Sequence, residues 1–290
     1  MKKLLVILAL LFPFSAFAGD YLPYRIVGVP TGTVPYFFGP NAFPVPDMMK
    51  NTSSHFSVEL DADYAVGNLS PRQDRTFTSV FAVRFPLWSD RVNLSVYGQI
   101  HEWYWDNEEV RALRKVDPKY PLSGNTAGDA YFSLDMRLLE ERSWLPRLTF
   151  RVALKTASGD KYEEARYFDA PGYHFDFCAT KTFRISDESF FRAFSASLNA
   201  GFVCWQTDMG AQNDALLCAA SLGVETSLAN LSFDYGGYSG IEKSHDAPTT
   251  FKIKLELLPD SSFSPVLFFQ KGVRDWPFSQ FRFGVKYSFL

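Results

Sequence analysis

The clearest signal in this chain is strict alternation of apolar and polar residues. In residues 281–289, Phe281, Phe283, Val285, Tyr287 and Phe289 alternate with Arg282, Gly284, Lys286 and Ser288. Successive side chains of a strand point to opposite faces, so this period predicts a half-buried strand. Residues 251–257, 148–155, 132–138 and 56–64 repeat it. Weaker alternation at 76–86, 91–103, 172–183, 190–204, 213–225, 229–238 and 264–273 brings the expected total to twelve strands. The run at 264–273 is the least regular, because Lys271 falls on its apolar face.

The connections sort by parity. Those around 88–90, 140–146, 185–189, 226–228 and 259–263 are short. Those at 67–75, 104–127, 157–171, 206–212 and 239–248 are longer, and only the one at 275–278 breaks the rule. A soluble sandwich has no reason to sort its loops this way, whereas a transmembrane barrel has tight turns at one end and longer loops at the other. The six tryptophans (Trp88, Trp103, Trp105, Trp144, Trp205 and Trp276) all fall at expected strand ends, as two aromatic girdles would require.

The N-terminus reads as an export signal: Lys2 and Lys3, an apolar run from Leu4 to Phe12, and Ala16-Phe17-Ala18 before the expected cleavage. The expected organisation is a signal peptide at 1–18, a Pro-rich segment at 19–53 and a barrel at 54–290. Pro23, Pro30, Pro35, Pro40, Pro44 and Pro46 exclude a helix or central strand between Tyr21 and Met49. That segment also holds Tyr24, Tyr36, Phe37, Phe38 and Phe43. It is expected to pack at the periplasmic mouth, to thread the lumen as a plug, or to remain a loose leader.

Composition narrows the class. The chain has 290 residues, is 47% hydrophobic and 17% aromatic, and carries a formal charge of −3. It is too apolar for a disordered chain and lacks the basic excess of a nucleic-acid binder. No run of eighteen apolar residues follows residue 18, which argues against a helical membrane protein.

On these residues the chain resembles Gram-negative outer-membrane β-barrel proteins over most of Ser54–Leu290. The resemblance implies an all-β transmembrane antiparallel barrel in outer-membrane lipid, inserted by the barrel-assembly machinery. Tyr287 and Phe289 look like the terminal aromatic signal for that machinery, although Leu290 follows. A fainter likeness to porin-like transporter barrels rests on GDAYFSLDMRLLEE at 128–141 and LPRLTFRVALKTASG at 145–159. It carries over no functional residue.

If the apolar face meets lipid, the other face lines a lumen. That face carries Glu59, Asp61, Asp63, Asp135, Asp176, Asp234 and Glu256, with Arg84, Arg137, Arg151, Lys155, Lys252, Lys254, Arg282 and Lys286. A charge facing lipid at mid-membrane costs about 2–4 kcal/mol, which sets the register this way round. Barrel closure places Glu59, Asp61 and Asp63 beside Arg282 and Lys286. Acids and bases nearly balance, so no strong charge selectivity is expected. Barrels of about eight strands are filled by side chains and those of 16–18 hold aqueous channels. Twelve lies between, and Ser195, Ser197 and Asn199 incline the reading toward a hydrated pore over a lumen filled by ion pairs. Glu108–Lys115 is expected to form a short helix, and the acidic, aromatic loop 157–171 to be solvated surface rather than folded inward.

Candidate chemistry is sparse. His55, His101, His174 and His245 are scattered, and there is no GxSxG or HExxH. His174 and Asp176 share the lumen face, at a spacing expected to orient an imidazole only poorly. A hairpin centred near Met209 sets Cys204 opposite Asp214, about 13 Å in register from Cys218, too far for a disulfide. No metal site or cofactor is expected, and the oligomeric state is open. The expected function is a passive, porin-like channel for small polar solutes and not an enzyme. The alternatives are a lipid- or lipid-A-modifying barrel enzyme and a non-conducting surface-interaction barrel.

Overall fold

The alternating segments form one antiparallel sheet that closes on itself. The computed structural model describes residues 38–68, 74–87, 90–206, 212–240 and 247–289. The export signal at 1–18, Trp88, Met209 and His245 lie outside the described residues. The strands are β1 (Ser57–Gly67), β2 (Arg75–Pro86), β3 (Val92–Trp105), β4 (Ser123–Thr126), β5 (Ala130–Leu139), β6 (Arg147–Lys155), β7 (Gly172–Arg184), β8 (Phe191–Gln206), β9 (Gln212–Thr226), β10 (Ala229–Gly240), β11 (Thr249–Leu257), β12 (Phe263–Arg274) and β13 (Phe278–Ser288). Twelve form the wall, and β1 pairs with β13 from Ser57↔Ser288 to Gly67↔Phe278. The short β4 pairs with the end of β3, from Glu102 to Trp105.

The connections alternate between the two ends of the barrel. The end that holds 68–74, 106–129 and 156–171 is here the long-loop end, although its 275–277 is shorter than 140–146 and 185–190 at the other. Within 106–129 lies the expected helix, α1 (Glu108–Arg114). The Asn107 side chain accepts from the Val110 amide at its start, and Lys115 ends it in the left-handed conformation.

Burial runs opposite to that of a water-soluble protein. Glu59, Asp61, Asp63, Asp135 and Asp176 are buried, while Leu60, Leu154, Leu216, Leu222, Phe281 and Phe283 are each more than half exposed. A continuous apolar exterior of this kind needs hydrocarbon around it.

Register shifts interrupt the ladders at Arg137/Leu139, Phe191/Ala193, Thr249/Thr250 and Ser79/Val80; at the last, Ile100 of β3 is the extra residue, between Gln99 and His101. Gly98 has φ 154, and a Cβ there would lie 2.3 Å from the Asp129 carbonyl, so only glycine fits. The extra residue shifts the parity of β3 and turns Glu102 and Tyr104 inward. The tryptophans also divide. Trp103, Trp105 and Trp144 are exposed at strand ends, as girdle residues are, but Trp205 and Trp276 are 1% and 2% exposed and belong to the interior. Strand-end position is shared by both groups, and position alone does not report which face a side chain takes.

Candidate functional site in the barrel lumen

Directly opposed residues of an antiparallel ladder share a face. By this register all fifteen lumen candidates lie on the inward face: Glu59, Asp61, Asp63, Arg84, Asp135, Arg137, Arg151, Lys155, Asp176, Asp234, Lys252, Lys254, Glu256, Arg282 and Lys286. Most are ion-paired. Arg84 and Lys254 reach Glu59 at 3.0 and 3.5 Å, Arg151 reaches Asp135 at 2.7 Å, and Lys155 reaches Asp129 at 2.7 Å. At the seam, Arg282 faces Asp63 at 3.7 Å. Lys286 is the register partner of Glu59 but binds Glu256 at 2.8 Å. Ser197 and Asn199 bond to Thr180 and Asp176 across the β7–β8 pair rather than lining open water.

The lumen holds a guest from the same chain. Residues 38–53 pass through it from the long-loop end to the short-turn end. Near the first, Trp276 Nε1 donates to the Pro40 carbonyl (3.3 Å), and Asn41 contacts Thr78, Glu102 and Gln280. At mid-lumen, Arg151 donates to the Asp47 carbonyl (3.0 Å), while Lys252 binds the Val45 carbonyl (2.8 Å) and the Asp47 carboxylate. Lys50 then pairs with Asp234 at 2.6 Å. At the far end Thr52 donates to the Asp90 carbonyl, and Asn93 clamps Ser53. Residues 44–53 join no sheet ladder. In this conformation the lumen is occupied, not the hydrated pore to which the small residues of β8 pointed. Buried main chain has to find partners, and here the inward polar side chains supply them.

The long-loop mouth is closed as well, and the loop 157–171 is not solvated surface. Ala165, Arg166, Tyr167 and Phe168 are buried, and Phe38 packs against Tyr162 and Phe168 at 5.8 and 5.5 Å. The Gly39 amide is shared between the carbonyls of Ala165 and Arg166. Arg166 is wholly buried. It donates to Glu102 (2.8 Å) and Thr76 (2.7 Å), lies 3.4 Å from Asp74, and stacks over the Tyr104 ring at 4.6 Å. Arg114 of α1 completes the network with Asp74, Asp106 (3.2 Å) and the Phe38 carbonyl (3.1 Å). Burial pushes the Asp106 carboxyl up to about 6, aided by neighbouring Asp74 and opposed by Arg114 and Arg166. Asp74 moves the other way: despite burial, the same two arginines hold it below its usual value.

Sequence reasoning missed this network. Glu102 is hidden by the bulge in β3. Arg166, Asp74 and Asp106 sit in connections, where no periodicity marks an inward side chain. His174 is likewise better placed than its spacing suggested: Nδ1 lies 3.2 Å from Asp176, whose other oxygen accepts from Asn199 at 2.6 Å. Two residues apart on one face, the side chains meet directly. Its ring lies 6.4 Å from Trp205. His101 lies on the exterior against Trp103, at 4.4 Å. Cys204 pairs in register with Asp214, and all three cysteines are free. Among the described residues no cluster of three or more His, Cys, Asp or Glu could hold a metal ion.

The architecture is that of outer-membrane β-barrels. The COG4313 outer membrane channel from Pseudomonas putida F1 is 9% identical, with 85% of this chain matched to 100% of that one at a TM-score of 0.53. The KdgM porin is 12% identical over 80% of this chain and 99% of its own, with a TM-score of 0.47. The same porin in complex with disordered oligogalacturonate is also 12% identical, over 81% and 99%, with a TM-score of 0.48. These likenesses are of fold. No family model and no curated protein sequence matches the chain.

Proposed function

We propose that the protein is a porin-like outer-membrane channel for small polar solutes, held closed in this conformation by residues 38–53 and by the inward loop 157–171. One observation carries the reading. Charged and polar side chains recur along the inner wall, yet its occupant is bound by side-chain contacts and stands outside the sheet, so it can leave without breaking a wall ladder. Its departure exposes a path lined by the charged residues of the inward face. The apolar exterior supports residence in membrane lipid. Phe289, packed on Phe56 at 4.9 Å and on Tyr287 at 4.8 Å, supports recognition of the last strand by the barrel-assembly machinery.

The lipid-modifying alternative draws no support from the His174–Asp176 pair, which lies inside the lumen and away from lipid. The occupied lumen favours the second alternative, a non-conducting barrel, and conductance separates the two. Purified full-length protein in planar bilayers is expected to show small, infrequent current steps. Their frequency should rise when Asp47→Asn and Lys50→Gln loosen the segment. A bilayer that stays sealed at every voltage for both proteins overturns the channel in favour of the non-conducting barrel.

A further inference from the structure

The wall holds its occupant mainly by the main chain. Trp276 donates to the carbonyl of Pro40, Tyr238 to Phe43 (3.4 Å), Lys252 to Val45, Arg151 to Asp47 and Thr149 to Met49. Asn93 makes a two-bond clamp on Ser53, donating to its carbonyl (2.8 Å) and accepting from its amide (2.6 Å). These six side chains come from β3, β6, β10, β11 and the β12–β13 connection, so the contacts surround the segment rather than lie along one edge. Bonds to carbonyls and amides are indifferent to the sequence of the peptide that presents them.

The wall also offers more than this segment uses. Tyr131 Oη, Trp205 Nε1 and Thr250 Oγ1 are buried and have no hydrogen-bond partner among the described residues. Thr250 borders a small gap of about 10 Å³, room for one water, between the wall and Val45, Pro46 and Met48. Of these three groups, Thr250 stands beside the segment, and an insert with no role beyond plugging has no need of an idle hydroxyl there, because a buried polar group left unpaired is costly.

We infer that the lumen wall is a binding track for extended peptides, and that residues 38–53 are its resident occupant. The inference rests on the channel reading and deepens it by naming the solute class: short oligopeptides, bound by their backbone. The Lys252–Asp47 and Asp234–Lys50 pairs add places for one acidic and one basic group, which a peptide with free termini also carries.

The test uses full-length Asp47→Asn/Lys50→Gln protein refolded in detergent, with heat-modifiable migration as the check of folding. Two fluorescent peptides of equal length serve as probes: one with the sequence of residues 38–53, the other unrelated, uncharged and proline-containing. A neutral oligosaccharide of similar mass is the competitor. Both peptides are expected to bind saturably, with no displacement by the sugar. Arg151→Met should weaken both about tenfold, as expected for a charged hydrogen-bond donor. Tyr238→Phe, which removes a single hydroxyl, should weaken both by a smaller factor.

Binding of the self-sequence peptide alone overturns the inference and leaves a dedicated plug. So does binding of neither peptide, or equal displacement by the sugar. Conductance is read separately: a barrel that conducts but binds no peptide keeps the channel and loses the track, and one that binds both peptides but never conducts does the reverse.

Discussion

Lys252 on β11 stands directly opposite Asp234 on β10, yet the ion pairs they make are with the inserted segment, Lys252 with Asp47 and Asp234 with Lys50. The wall therefore keeps a cation and an anion side by side, each partnered from outside the sheet. When the segment leaves, the two can pair with one another, so opening exchanges two ion pairs for one instead of stranding two buried charges. Partly exposed pairs such as these contribute roughly 0.5–1 kcal/mol each. Removing either segment charge should therefore raise the open-to-closed ratio about two- to fivefold, read as channel open probability. Asp234→Asn combined with Lys252→Met removes the alternative pair and the segment's anchors together. If its open probability matched that of Asp47→Asn/Lys50→Gln, re-pairing of the wall would play no part in opening.

The closed mouth should depend on pH through Asp106. Its carboxyl is raised to about 6 in the fold, from an ordinary 3.8, chiefly by burial, with Asp74 adding to the rise and Arg114 and Arg166 opposing it. A carboxyl whose folded pKa is raised favours the fold in its protonated form. This contribution is full below the unfolded pKa and is lost as pH rises through the folded value. Asp74, held low by the same arginines, contributes in the opposite sense and loses its contribution only in more acid solution. The mouth is therefore tightest near pH ~4 and loosens progressively as pH rises from there to about 6. Open probability should rise over that interval in the wild type and level off above it. In Asp106→Asn, whose amide mimics the protonated acid, it should stay low. A profile unchanged by the substitution would place the titrating group elsewhere.

Closure of the barrel depends on a glycine. Asp61 faces Gly284 across the β1–β13 seam, and a Cβ on residue 284 would fall 1.6 Å from the Asp61 carboxylate. Gly284→Ala should displace that side chain in a packed interior, at about 1–3 kcal/mol. The measurement is the midpoint temperature of heat-modifiable migration. Adding Asp61→Ala to Gly284→Ala should restore part of the loss, since the shortest approach is to that side chain, while the Leu60 carbonyl 2.8 Å away accounts for the part not recovered. An equal loss in the double variant would mean that the backbone itself cannot accept a Cβ there.

The wall was legible in the sequence because most of its residues obey a two-residue period that burial enforces. Leu60 must meet lipid and Asp61 must not, and the same choice recurs on every strand, so twelve weak signals add up to one register. Closure followed too: Asp63 and Arg282 were expected together and stand in register. What stayed hidden is what period two does not govern. The inward turn of Glu102 depends on one extra residue, Ile100, in β3, which nothing in the period marks. The fold of loop 157–171 into the mouth depends on Arg166 finding Glu102 and Asp74, which are 64 and 92 residues away in sequence. The path of residues 38–53 follows from which wall donors need carbonyls, and prolines alone report only that the segment is neither helix nor central strand.

The outward face makes its own quantitative claim. Leu198 lies mid-strand on β8, opposite Ala179 and Ala220, and is 45% exposed. Trp144 lies in the turn between β5 and β6 and is 83% exposed. In water the two positions would tolerate arginine alike. In a bilayer they differ, because a charge at the midplane costs about 2–4 kcal/mol and one at the interface about 0–1. Leu198→Arg should therefore lower the stability of protein folded into lipid vesicles by that larger amount in denaturant titration, and Trp144→Arg by little. Equal and small losses at both positions, or recovery of the wild-type chain from cells without detergent, would remove hydrocarbon from around the barrel. The inside-out burial of Asp63 and Leu60 would then have no physical cause.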